Sequence, residues 1–188
     1  MSPVLPCRVV TVYSFQGDHS RSFVRPFLKS LADELNGRGR GPSALDCLLY
    51  AGHAGVSTDG GAIVYGFNPD SGGFPNSQVM VRLQRGDAFP GTVRDDTSIF
   101  LEARKRGLSI QSFDVLFPNK SYQNLAAILV VELRKSRFDY GFPDGDGDSN
   151  CITWLERIGL PLLTGRMNEF IGLPGIATFP SRRFGECT

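Results

Sequence analysis

The chain has 188 residues, of which 41% are hydrophobic and 21% charged, a composition typical of a single globular domain with a sizeable core. Its formal net charge is only +1, so no strong overall field favours nucleic acid or an acidic membrane as a partner. No apolar run is long enough to span a membrane, so the sequence predicts no transmembrane segment.

The N-terminal residues have neither the basic lead nor the small-residue cleavage site of a signal peptide. We therefore expect a cytoplasmic protein, or an effector that a dedicated secretion system delivers. The alternating and β-branched residues of 7–15 predict a strand instead.

Helical and extended patterns alternate along the rest of the chain. Apolar residues between Phe23 and Leu35 have helical spacing, and Gly37 is expected to end that helix. Two strands are expected over 46–58 and 61–67, joined by the turn signal Asp59–Gly61.

The later segments continue the mixed pattern. In chain order they predict a short strand over 78–84, a helix over 95–107, a strand over 108–117, a long helix over 118–136 and a helix that Cys151 opens. No repeat or change of composition divides the chain. We therefore predict one α+β domain over residues 1–188.

The four cysteines are scattered and form no closely spaced metal-binding pair: Cys7, Cys47, Cys151 and Cys187. Free thiols in a reducing compartment are the simplest interpretation. The loop Asp144–Asn150 resembles a calcium-binding loop, but it lacks the glycine and the glutamate that such loops need. No metal and no cofactor are therefore expected.

Cys151 has the most informative position of these cysteines. It begins an apolar pattern with helical spacing that ends at Ile158, after a polar loop in which Asp148 or Ser149 is the expected N-cap. At a helix start, the dipole and the backbone N–H groups favour an anion, and the thiolate is the nucleophilic form of cysteine. The backbone N–H of Cys151 is also a candidate oxyanion donor. The alternative is a core cysteine on an amphipathic helix.

A thiol nucleophile needs a base, and the chain has two histidines. His19 lies in a polar turn and is expected to face solvent or to cap a helix. His53 lies in an apolar segment between Gly52 and Gly55, where small neighbours leave room for a substrate. Cys47 precedes it on the same predicted strand, about 20 Å away, and is not expected to be its partner. The alternative for His53 is a core histidine.

The order of these motifs resembles the circularly permuted papain-like fold. The matching residues are His53 in "GHAGVSTDGGAIVYGFNP" and Asn150–Cys151 in "SNCITWLERIG", with a strand, a helix and a tyrosine between them. This superfamily includes permuted relatives of NlpC-type endopeptidases, lecithin retinol acyltransferase-like proteins and PPPDE-type deubiquitinating and deSUMOylating peptidases. The resemblance covers Asp46 to about Leu160.

The resemblance implies roles for particular residues. Cys151 would be the nucleophile and His53 the general base and acid. Many relatives orient the histidine with a polar residue about twelve positions later. That position is Tyr65 here, and Asn68 is chemically closer to an amide orienter; a Cys–His dyad is also open. Gln16 is a candidate oxyanion donor, as glutamine is in papain-like enzymes.

The expected function is therefore a cysteine hydrolase that cleaves an amide or isopeptide bond without a cofactor. Its substrate would be a peptide, a peptidoglycan stem or a ubiquitin-like conjugate. Two alternatives stay open at this point: an acyltransferase or thioesterase that uses the same dyad, and an inactive binding module of the same fold. No nucleic-acid partner is expected.

Overall fold

The computed structural model describes residues 7–141 and 148–160, and the backbone of 163–164 and 177–178. Nine strands and six helices occur in these parts of the chain. The strands are β1 (Cys7–Gln16), β2 (Gly52–Ser57), β3 (Tyr65–Pro69), β4 (Phe89–Asp95), β5 (Ile110–Pro118), β6 (Asp139–Tyr140), β7 (Asp148–Ser149), β8 (Leu163–Thr164) and β9 (Ala177–Thr178). The helices are α1 (Arg21–Leu35), α2 (Ala44–Ala51), α3 (Asn76–Gln84), α4 (Thr97–Lys105), α5 (Asn119–Arg134) and α6 (Cys151–Arg157).

Seven strands form one sheet in the order β5-β1-β2-β3-β4-β6-β7, and β8 pairs with β9. Neighbours in the large sheet are antiparallel except for β6 and β7, which are parallel. The sheet and the helices packed on it make an α+β protein, as the sequence predicts. None of the six described helices combines the length and the hydropathy of a transmembrane span.

Two hydrophobic clusters flank the sheet because strand side chains alternate between its faces. On β1, Val10 and Val12 pack into a large cluster with residues of α3, α5 and α6. Tyr13 and Phe15 belong to a second cluster with residues of α2 and α4. The candidate site lies where these two cores approach each other.

Most of the predicted elements are confirmed, namely β1, α1, α4, β5, α5 and α6. The predicted hairpin is confirmed as well, with Gly55 opposite Gly66 and Val56 opposite Tyr65 in an antiparallel ladder. Its second strand begins at Tyr65, four residues after Gly61, because the turn continues through residues 58–64.

The predicted strand over 46–58 is wrong in its first half, which forms α2. Ser43 caps this helix: its hydroxyl accepts the N–H of Asp46 at 3.1 Å, and the Asp46 carboxylate accepts the N–H of Ser43 at 3.2 Å. Gly52, with a φ of 83°, ends the helix and starts β2. Cys47 therefore lies on α2. The expected distance between Cys47 and His53 assumed that both residues lie on one strand, and this assumption is wrong.

The predicted strand over 78–84 is also wrong, because the segment lies in α3. Val79, Val81 and Leu83 alternate in the sequence, which favoured a strand. Val79 and Leu83 are also four residues apart, so on a helix they share one face, and both are buried in the large cluster.

The prediction that the cysteines are free thiols is wrong for Cys7. It is disulfide-bonded, whereas Cys47 and Cys151 are free. The prediction of a reducing compartment relied on free thiols and so loses its basis. Most of the loop compared with a calcium site, residues 142–147, lies outside the described residues.

Candidate active site

Cys151 is the first residue of α6, as predicted, but its N-cap is Asn150. The Asn150 side chain accepts the N–H groups of Ile152 at 2.9 Å and Thr153 at 3.0 Å. Asp148 and Ser149, the predicted caps, form β7. An asparagine cap satisfies two backbone donors and fixes the start of the helix, so the position of the Cys151 thiol is set by local structure.

His53 is the second residue of β2, and that strand packs against α6. Its Nε2 lies 2.8 Å from Oδ2 of Asp96, and both side chains are buried. Because an ionised carboxylate only accepts hydrogen bonds, this contact places a proton on Nε2. Nδ1 is then the ring nitrogen that can exchange a proton with a thiol.

Asp96 lies between β4 and α4 and is the centre of a polar network. Oδ2 accepts hydrogen bonds from His53 and, at 2.6 Å, from Nδ2 of Asn68; Oδ1 accepts Nε–H of Arg94 at 3.1 Å. Burial raises the pKa of Asp96, but the hydrogen bond and charge of His53, with Asn68 and Arg94, lower it further than burial raises it. Asp96 is therefore ionised at neutral pH although only 1% of it is exposed.

Asp96 and the Cys151 thiol both affect the pKa of the His53 imidazole. Burial lowers the pKa of His53, but hydrogen bonding and charge from Asp96 and Cys151 outweigh it and raise the pKa to about 9. Among the described residues, Nδ1 has no partner that meets strict hydrogen-bond geometry. The thiol therefore influences the pKa of His53 without making a hydrogen bond to Nδ1 in this structure.

Gly66 makes the contact between His53 and Asp96 possible. A Cβ atom at position 66 would overlap with both Oδ2 of Asp96 and Nε2 of His53. Its backbone φ is not positive, so space alone requires glycine at this position. The resemblance placed this residue in a matching motif but gave it no role.

Replacing Gly66 with alanine is expected to lower turnover by at least tenfold, since the added methyl group must push the carboxylate away from the imidazole. Kinetics of the purified variant, with a thermal melt to show that it is folded, check this. Gly39→Ala is the matched control for the substitution, because its φ is not positive and a Cβ there meets only Cβ of Asp33, at 3.7 Å. Wild-type turnover in Gly66→Ala would contradict the packing.

The raised pKa of His53 also predicts how stability changes with pH. The folded pKa of about 9 exceeds the ordinary 6.5, so protonation of His53 stabilises the fold fully below pH 6.5 and ceases to do so above about pH 9. The free energy of unfolding should therefore fall between pH 6.5 and 9.5. The fall should be smaller in Asp96→Asn, which loses the largest interaction that raises this pKa. Denaturant titrations of both proteins at the two pH values measure it, and equal falls would contradict the assignment.

The side chain that hydrogen-bonds to the His53 imidazole is that of Asp96. The predicted orienting residue, Asn68 or Tyr65, does not have this position. Asn68 is fully buried and donates to Asp96, so it holds the carboxylate and not the imidazole. Tyr65 packs against the large cluster, whereas the His53 ring contacts Phe15 and Phe100 of the other one. Alternation along β3 places Tyr65 and Asn68 on different faces.

The predicted oxyanion donors have different positions. Gln16 is exposed at the end of β1, opposite Gly52, and its role stays a prediction. The N–H of Cys151 is at the start of α6, beside the two N–H groups that Asn150 accepts. His19 is exposed, and its Nε2 lies 3.1 Å from the carbonyl oxygen of Tyr50. It is not one of the residues that donate hydrogen bonds to Asp96.

Sequence reasoning missed Asp96 because the pair Asp95–Asp96 before α4 has the pattern of a helix cap. Only one of the two has that role: Oδ1 of Asp95 accepts the N–H of Thr97 at 2.9 Å. Asp96 occupies the N-cap position without capping, because its side chain turns inward to His53. One sequence signal could have identified Asp96: it is a second acidic residue at a helix start where the first, Asp95, already caps the helix.

The thiol and the imidazole are both buried: Cys151 is fully covered and His53 is only 2% exposed. A low dielectric strengthens the interactions among thiol, imidazole and carboxylate. It also means that a local opening must precede reaction with any substrate.

No family model, curated protein or solved structure matches this chain.

Proposed function

We propose that the protein is a cysteine hydrolase that cleaves an amide or isopeptide bond, with Cys151 as nucleophile and His53 as general base and acid. One observation carries the proposal: the His53 imidazole is bonded to buried Asp96 and interacts with the thiol that opens α6. A nucleophile, a base and a group that orients the base are the parts that acyl transfer through a covalent intermediate requires.

The proposed reaction uses each group in turn. The Cys151 thiolate attacks the substrate carbonyl carbon, and a C–S bond forms as the carbonyl oxygen becomes an oxyanion. Protonated His53 donates its proton to the leaving nitrogen, the C–N bond breaks and an acyl-enzyme remains. His53 then takes a proton from water, whose oxygen attacks the thioester, and the thiolate leaves.

Asp96 acts through His53 in this scheme. Its carboxylate accepts a hydrogen bond from Nε2–H throughout the reaction, which keeps Nδ1 available to the sulfur. The negative charge of Asp96 also stabilises the imidazolium that later protonates the leaving group. Asn68 and Arg94 restrict the carboxylate from two sides and so hold the imidazole plane. The His-then-Cys order, with Cys151 at a helix start beside an antiparallel sheet, supports a permuted papain-like fold.

The test is intact-protein mass spectrometry after incubation with peptides, peptidoglycan stem fragments and ubiquitin-like conjugates, with acid quenching at short times. We expect one of these classes to give an acyl adduct whose mass maps to the peptide containing Cys151. Cys151→Ala is the control and should give no adduct. An adduct that maps to Cys47 instead, or persists in Cys151→Ala, would contradict the assignment of the nucleophile.

A further inference from the structure

An apolar groove lies where the end of β5, the first half of α5 and the residues after α6 meet. Its volume is about 370 Å³, at the lower end of the range for ligand pockets. Most of the side chains that line it are apolar, namely Leu116, Phe117, Pro118, Leu125, Ile128 and Ile158. An apolar surface of this kind typically marks the place where a partner or another segment binds.

The chain passes this groove as it leaves α6. Ile158 and Gly159 follow the last residue of that helix, and both line the groove. The strand β8 begins at Leu163, and β9 pairs antiparallel with it so that Thr178 lies opposite Leu163. This pairing returns the chain to the neighbourhood of α6, because four residues and one strand spacing place Thr178 at most about 20 Å from Gly159.

A disulfide fixes a later point of the chain on the other side of the groove. Cys7 is disulfide-bonded, while Cys47 and Cys151 are free. The sequence has four cysteines and the structure contains a single chain, so the remaining partner for Cys7 is Cys187. Cys7 is paired with Pro118 in the ladder of β1 and β5, and Pro118 lines the groove. Because the Cα atoms of paired residues and of bonded cysteines are each about 5 Å apart, this bond holds Cys187 close to the groove.

Residues 179–186 connect these two points and lie outside the described parts of the chain. The nine steps from Thr178 to Cys187 span at most about 32 Å, so this segment cannot extend far from the groove. It includes two large apolar side chains, Phe179 and Phe184. Side chains of this type are usually buried in folded proteins, and the groove has the matching apolar lining.

We propose that residues 179–186 bind in this groove and are held there by a disulfide between Cys187 and Cys7. Phe184 lies three residues before Cys187, and we assign its side chain to the groove. Docking removes apolar surface of both the segment and the groove from water. The attachment of the segment at both of its ends raises its local concentration at the groove. This docking is independent of the function proposed for Cys151 and His53.

Photocrosslinking from α5 tests the docking in the full chain. In one protein p-benzoylphenylalanine replaces Asn124, which is exposed and lines the groove. In the control it replaces Gln123, which is exposed on the same helix but lies about 100° away around its axis. After irradiation and digestion, we expect residues 179–186 to be crosslinked to position 124 in a yield at least about tenfold above that at position 123, because the attached segment has a high local concentration at the groove.

The other outcomes overturn the proposal. A crosslink from position 124 to a second copy of the chain, seen as a dimer in electrophoresis, would make the groove a self-association surface. Equal yields of the 179–186 crosslink at both positions, or none, would place the segment elsewhere. Digestion without a reductant should also give a peptide that joins Cys7 to Cys187. A Cys7 that is reduced, or bonded to another chain, would remove the anchor on which the proposal depends.

Discussion

Cys151→Ala is expected to abolish turnover while leaving the fold nearly intact. Among the described residues no other free thiol can form the acyl-enzyme, because burial, with the negative charges of Asp46 and Glu34, raises the pKa of Cys47 to about 12. Alanine is the best helix former and removes one buried sulfur, so loss of stability should be modest. Product formation and a thermal melt measure the two effects.

Cys47→Ala is the matched control for this variant. It removes the other free thiol of the described residues and should leave turnover within about twofold of wild type. If Cys151→Ala kept turnover on a substrate that the wild type cleaves, Cys151 would not be the nucleophile.

His53→Ala is expected to lower turnover by roughly 100- to 10,000-fold, the usual contribution of a general base. The imidazole is fully buried, so its removal leaves a cavity. His53→Gln keeps most of the side-chain volume without a group that can transfer the proton, and it should lose similar activity with less destabilisation. His19→Ala is the control, since His19 is exposed, and should have no effect.

The double variant Cys151→Ala/His53→Ala adds a test of joint action. Residues that act as one catalytic unit lose activity together, so the second substitution should cost almost nothing after the first. Additive losses would indicate that His53 contributes to turnover independently of Cys151.

The sequence predicted those elements in which local pattern and tertiary packing agree. The β-branched run of β1, the helical spacing of α5 and the turn between β2 and β3 needed no knowledge of distant residues. Cys151 at a helix start followed from the same local rules. The prediction was wrong for two segments. In α3 the apolar residues fit the period of a strand and that of a helix, and in α2 a capping box outweighed an apolar run.

The candidate site was only half predictable for a different reason. The pairing of His53 with Cys151 was inferred from the need of a thiol for a base and from a family resemblance in the order of motifs, because no local pattern links two residues so far apart in the chain. Asp96 comes from a third segment, and only the register of β3 with β4 brings it beside His53. A sequence gives candidate chemical groups, but the sheet register decides which of them meet.

Native-state alkylation tests the central claim, that Cys151 is a nucleophile activated by His53, most directly. Folded protein is treated with iodoacetamide at pH 7, and the modification rates of Cys151 and Cys47 are measured by peptide mapping. We expect Cys151 to react faster than Cys47, although Cys151 is fully buried and Cys47 is only partly so. We also expect Cys151 to react at least tenfold more slowly in His53→Gln. If Cys151 reacted no faster than Cys47, or at the same rate with and without His53, it would be a packed core cysteine and the catalytic assignment would be wrong.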